Sequence, residues 1–208
     1  LARAQAVQAE VEALGVKSTA IAADVTKPDQ ARRTVEDAIA FFGRLEVVCN
    51  VVGLATWADT FDISDDAWDA QFAINLVQHL NIGRTAARHM IDNEIDGRMA
   101  FVASVSGLYG APMHAAYGAA KAGLMGLVRT MSQDWGPYGI RVNAVAPDLI
   151  ATPRVKAGFD AQGMTTAEVA AQAAAPLNRM GTPYDIAGPL VFLVSDLSAF
   201  VTGQTIVS

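Results

Sequence analysis

Short apolar runs of strand length alternate with glycine-stopped segments of helical length along the whole chain. This alternation predicts an α/β fold with a mostly parallel sheet, because parallel neighbours need crossover connections. Residues 1–14 read as an amphipathic helix stopped at Gly15, and Ser18–Ala23 as a short strand running into Asp24-Val25-Thr26. A helix is predicted from about Pro28 to Phe42, ended by Gly43. Leu45–Val52 is a continuous apolar run around Asn50, the pattern of a strand covered on both faces. Ser64 suits an N-cap with Asp65 and Asp66 in the first turn, and its helix runs toward Asn93. Further strands are predicted at Met99–Ala103, Ile140–Val145 and Thr205–Val207, and the helix carrying Tyr117 extends to about Trp135. Thr165-Thr166-Ala167-Glu168 reads as a capping box opening a short Ala-rich helix stopped by Pro176, and Thr182-Pro183 opens another helix.

Composition narrows the function classes. The 208 residues suit one domain, and 52% hydrophobic against 17% charged content describes a packed globular chain. A net charge of −6 without a Lys/Arg cluster argues against nucleic-acid binding. No apolar stretch reaches the ~18 residues of a membrane span. The single cysteine, Cys49, excludes an internal disulfide and fits a reducing cytoplasm. The aspartates 59, 62, 65, 66 and 69 lack the glycine and terminal glutamate of a calcium loop. His79 and His89 have no metal-ligand spacing and read as structural, so no metal site is expected.

The chemistry concentrates around Tyr117. In Tyr-Gly-Ala-Ala-Lys, Tyr117 and Lys121 stand one helical turn apart, so phenol and ammonium share a face. A neighbouring cation favours the phenolate, so Lys121 is expected to lower the Tyr117 pKa from about 10. A tyrosine tuned this way exchanges a proton with an alcohol or carbonyl oxygen, help typically worth ~10²–10⁴ in rate. Ser104, thirteen residues upstream, can donate a hydrogen bond to the same oxygen. Gly118, Gly123 and Gly126 interrupt this helix, each at a cost of roughly 1 kcal/mol, which implies close approach of another segment or a ligand.

Ligands of open α/β sheets bind beyond the carboxyl ends of the strands. Asp24 and Val25, Asn50 and Gly53, Ser104, and Pro147 to Thr152 all stand there. Together with Asn75 in Phe-Ala-Ile-Asn-Leu, Asn50-Val51-Val52-Gly53, Arg141 to Pro147, Pro176 to Gly181 and Thr202-Gly203-Gln204, they resemble the short-chain dehydrogenase/reductase family over essentially all 208 residues. The resemblance implies a doubly wound, Rossmann-like parallel sheet in three αβα layers. It implies Asn75, Ser104, Tyr117 and Lys121 as catalytic residues. Asp24, Val25, Asn50, Gly53, Tyr117, Lys121, Pro147, Ile150 and Thr152 would then bind NAD or NADP. The implied activity is hydride transfer between a nicotinamide and a secondary alcohol or ketone, with Tyr117 as general acid/base and Asn75 anchoring a water that relays protons through Lys121. A cytoplasmic homotetramer and a substrate lid at about 154–180 also follow from it.

The chain departs from the family pattern in three places. Asp148 stands where glycine follows the proline, and Val51 replaces an asparagine. A glycine-rich phosphate turn is not found, so the first βαβ unit is lacking here, and the chain is expected to be part of a longer polypeptide. The choice between NAD and NADP is therefore open, as is the substrate. Tyr109, Met113 and His114 are candidates to line the substrate site, and His114 reads equally as a surface loop residue. Two alternatives stand beside the dehydrogenase reading: a 3-oxoacyl-thioester reductase, and a non-catalytic cofactor-binding scaffold.

Overall fold

A computed structural model describes residues 2–161, 163–165, 168 and 177–208. Its frame is a parallel sheet in the order β1 (Val47–Asn50), β2 (Arg98–Val102), β3 (Arg141–Ala146) and β4 (Thr205–Val207). The registers align Val47 with Arg98, Arg98 with Arg141, and Ala144 with Thr205. Helices α1 (Ala2–Ala13), α2 (Pro28–Phe42), α3 (Asp65–Phe72), α4 (Gln78–Asp92), α5 (Ser106–Tyr109), α6 (Ala115–Trp135), α7 (Pro153–Asp160) and α8 (Pro183–Val194) connect and flank the strands.

The two-residue period of a strand divides the core into two layers. Met99 and Phe101 of β2, with Val142 and Ala144 of β3, face a cluster built from Val35, Ala86, Met90, Leu124, Val128 and Met131. Ala100 and Val145 point the other way, onto Leu190 and Leu193 of α8. Helices therefore cover both faces, as the doubly wound expectation requires. Asn143 is buried within the sheet, where its amide donates to Val201 O (2.8 Å) and its Oδ1 accepts from Gln204 N (3.0 Å), tying β3 to the approach of β4.

Local signals place most helix ends. Gly43 adopts φ 80° and returns its N–H to Ile39 O. Ser64 Oγ accepts from Ala67 N at 3.2 Å, and Thr182 forms a reciprocal capping box with Asp185. The Thr165–Glu168 capping bonds are present, while the Ala-rich helix expected beyond them lies outside the described residues.

The N-terminal third departs from expectation. Residues 16–24 run without a strand ladder, because no described segment lies alongside to pair with them. The helix α1 buries no residue, so it is not the amphipathic element its sequence suggested. Among the described residues, the apolar run at 45–52 pairs over Val47–Asn50 with β2 alone. With no described partner on its outer edge, Val51 is 61% exposed instead of covered on both faces.

Candidate active site

The carboxyl ends of β1, β2 and β3 converge on the amino-terminal half of α6. Lys121 is the centre of that convergence. Its Nζ donates to Val102 O at 2.7 Å, and the residue is 2% exposed. A Cβ on Gly53 would lie 3.0 Å from Lys121 Nζ and 3.0 Å from Asn75 Oδ1. Gly53 itself is exposed, so the missing side chain leaves a cleft leading to a buried amine and a buried amide.

Asn75 reaches this point through an irregularity. A π-helical turn, Ala73–Val77, joins α3 to α4, and Asn75 sits fully buried at its middle. Such turns are rare and cluster at functional sites. The Asn75 side chain clamps the backbone of Leu54, accepting from its N at 3.0 Å and donating to its O at 2.9 Å. Beside it, Asn50 Nδ2 donates to Gln78 Oε1 (2.8 Å) and Gln78 Nε2 donates to Val52 O (3.1 Å). Gln78 thus supplies an amide next to Val51, where the family pattern has an asparagine. His79 follows, fully buried against the Phe101 ring and pushed down to about 3 by burial, so it is neutral and structural.

Tyr117 and Lys121 share a face of α6, with Nζ 5.7 Å from the phenol centroid. The neighbouring Ser104 hydroxyl draws the Tyr117 pKa down, but burial is the larger effect and raises it. Burial also lowers Lys121 to about 8. The expectation that Lys121 depresses the tyrosine is therefore not met in the protein alone. Desolvation disfavours charge on both groups, and the amine is directed to the Val102 carbonyl.

Two of the three α6 glycines explain themselves here. A Cβ on Gly118 would meet Ser106 O at 3.0 Å, and one on Gly123 would meet Leu76 Cδ2 at 3.1 Å. Gly126 has only the end of Arg129 nearby, at 3.8 Å, so close approach does not account for it. Gly107, whose importance was not legible in sequence, would place a Cβ 2.6 Å from Ala122 N. Glycines on both sides let α5 lie directly on α6, which holds Ser104 against Tyr117.

The β3 end completes the cleft. Val105 N donates to Pro147 O (3.1 Å), and Asp148 N to Ser208 O (2.8 Å). Ile150 bridges to Gly181, and Thr152 caps α7 by accepting from Val155 N at 3.3 Å. A cavity of about 500 Å³ opens here, lined by Val105, Tyr109, Asp148, Ile150, Leu177 and Met180 among others. Asp24 and Val25 are tied down locally: Asp24 Oδ1 accepts from Thr26 N (3.0 Å) and Oγ1 (2.6 Å), and its own N–H donates to Gln30. Among the described residues no His/Cys/Asp/Glu group is arranged to hold a metal ion. Among them, too, no helix is long and apolar enough to cross a membrane.

Comparison with known proteins agrees with this geometry. A family model described as enoyl-(acyl carrier protein) reductase matches residues 1–208. The L-rhamnose 1-dehydrogenase (NAD(P)(+)) of Sphingomonas sp. (strain SKA58) is 34% identical over 203 residues, covering 98% of this chain and 79% of its own length. The 3-oxoacyl-(acyl-carrier-protein) reductase of Thermotoga maritima is 34% identical over 197 residues, covering 95% of this chain and 78% of its own. Among solved structures, acetoin dehydrogenase from Salmonella typhimurium superposes with a TM-score of 0.86 at 29% identity, covering 98% of this chain and 79% of that one. By its fold, its ordered site residues and these relatives, the chain belongs to the short-chain dehydrogenase/reductase family of NAD(P)-dependent oxidoreductases.

Proposed function

We propose that this protein interconverts a secondary alcohol and a ketone, with Ser104, Tyr117 and Lys121 as the working side chains and Asn75 supporting them. The observation that carries this reading is the packing of the Ser104–Tyr117 hydroxyl pair beside a buried Lys121 amine, over the cleft left by Gly53. The residues present fit a nicotinamide cofactor. The Lys121 amine and Tyr117 hydroxyl can bind sugar hydroxyls, Gly53 admits close approach, and Ile150 with the Thr152 hydroxyl offers further contacts. The bound nicotinamide supplies or accepts the hydride. Tyr117 gives or takes the hydroxyl proton, Ser104 polarises the substrate oxygen, and Asn75 anchors a water that passes protons outward through Lys121. Asp24, Val25, Asn50 and Pro147 complete the cofactor side in this proposal.

We further read residues 1–208 as one catalytic domain whose residues 154–180 form the substrate lid. Support comes from the cavity wall, to which Leu177 and Met180 contribute. A cytoplasmic location is supported by the free Cys49 thiol. The α6 glycines at 118 and 123 are used inside the chain, so support for a homotetramer comes instead from exposed Tyr184, Val191, Leu197 and Phe200. A second reading, reduction of a 3-oxoacyl thioester, is favoured by the 34% identical Thermotoga maritima reductase. A scaffold role leaves the nearly complete burial of an ionisable amine without a purpose.

The test combines titration calorimetry with turnover. Tyr117→Phe is expected to bind NADH or NADPH as the parent does while losing at least ~10²-fold in turnover of ketones or of an acetoacetyl thioester. Unchanged turnover at saturation would remove Tyr117 from the chemistry. Faster reduction of the thioester than of simple ketones would favour the second reading.

A further inference from the structure

His114 lies outside the catalytic set yet touches Tyr117 directly and reaches Ser104 through Ser106. Its ring meets the Tyr117 ring edge-on, with centroids 5.2 Å apart. Its Nδ1 lies 3.1 Å from Ser106 Oγ, and Ser106 N donates to Ser104 Oγ at 3.2 Å. Ser104 in turn is the hydroxyl whose proximity draws the Tyr117 pKa down. The groups follow one another in space: Tyr117 ring, His114, Ser106, Ser104, Tyr117 hydroxyl. On its other side His114 is covered by Trp57, with ring centroids 4.5 Å apart.

The backbone is committed to this placement. Met113 adopts φ 62°, a left-handed conformation that costs a non-glycine residue about 1–3 kcal/mol. Ala58 N donates to Met113 O at 2.9 Å, and Ala58 pairs with His114 in an isolated bridge. The loop carrying Trp57 therefore fastens the strained turn that presents His114. Nε2 of His114 is buried without a hydrogen-bond partner among the described residues. The ring's polar work is thus confined to Nδ1 and Ser106.

We propose that His114 is a positioning residue, clamped by Trp57 and anchored on Ser106, that holds the Ser104 and Tyr117 hydroxyls in register. It acts through Ser106 on Ser104, and through ring contact on Tyr117. The proposal builds on the reading of Tyr117 as acid/base. Among the described residues, the titratable groups facing the phenol ring are His114 and, one turn along α6, Lys121. Burial lowers the His114 pKa, which keeps the imidazole neutral beside the phenol.

The test is an ultraviolet pH titration of the Tyr117 phenol, isolated by subtracting the Tyr117→Phe signal. The variants are His114→Phe, which keeps a ring but loses Nδ1, and Ser106→Ala, which keeps the imidazole but loses its anchor. Each is expected to move the Tyr117 midpoint upward by about half a unit or more, because the Ser104 hydroxyl that favours phenolate is no longer held in place. The double variant is expected to shift no further than either single one, since both break the same link. Trp57→Ala, at an exposed position, should shift it in the same direction and guards against a misfolded core variant. Unmoved midpoints in variants with parental melting, or fully additive shifts, overturn the proposal. The titration needs neither cofactor nor substrate, so a failure here leaves cofactor binding and the Tyr117→Phe result standing, and the converse also holds.

Discussion

Lys121 shows how far a residue's surroundings alter its chemistry. Its charge costs the folded state free energy, because burial depresses its pKa from 10.5 to about 8. Below pH 8 the folded protein bears the whole penalty of charging a buried amine. Between about pH 8 and 10.5 the unfolded chain binds a proton that the folded chain does not, so stability rises with pH through that window. Comparison with Lys121→Met is expected to isolate a gain of about 2 kcal/mol, measured by denaturant unfolding across pH 7.5–10. A wild-type curve parallel to the variant's would return Lys121 to an ordinary solvated amine. Tyr117 acts oppositely at the alkaline end: its raised pKa keeps it protonated after the unfolded chain has ionised, so it removes stability above about pH 10. Residue types and spacing singled out Ser104, Tyr117 and Lys121 as candidates. They did not identify the direction of the tyrosine shift, because proximity to a cation is visible in sequence and desolvation is not.

At the scale of elements, helix ends and middles differ in legibility. Pro28, Gly43, Ser64 and Thr182 marked their boundaries correctly because capping is local chemistry. The π turn at Ala73–Val77 left no comparable signature, although it buries Asn75 at the site. Gly107 and Gly118 form a pair whose meaning depends on α5 lying against α6. Gly107→Ala is expected to destabilise the fold by about 1–3 kcal/mol, since the added methyl meets backbone and not a flexible side chain. Because α5 follows Ser104 directly, turnover should fall more steeply than stability, which thermal melting and initial rates together will show. Gly110→Ala would be a poor control, since φ 73° strains any substitution there. Gly136→Ala, with open space around its Cβ, is the better one.

Across the whole molecule, large apolar side chains on and just after α8 are exposed among the described residues. Tyr184 and Val191 lie seven residues apart on α8, with Leu197 and Phe200 just beyond, at exposures of 87%, 64%, 83% and 104%. If a second copy covers this face in the proposed tetramer, Leu197→Asp combined with Phe200→Asp is expected to lower the sedimenting mass while leaving circular dichroism unchanged. An unaltered mass from a parent that already sediments as a single chain would end the assembly proposal.

Sequence alone determined the α/β alternation, the helix caps, and the spacing that sets Tyr117 and Lys121 on one face of α6. Each of these depends on residues within a few positions of one another, where propensity and periodicity act. Tertiary structure decided the rest: the π turn that buries Asn75, the glycine contact between α5 and α6, and the contacts from His114 through Ser106 to Ser104. Each of those depends on what lies across space, and so does the desolvation that makes Lys121 a weak base and Tyr117 a reluctant acid.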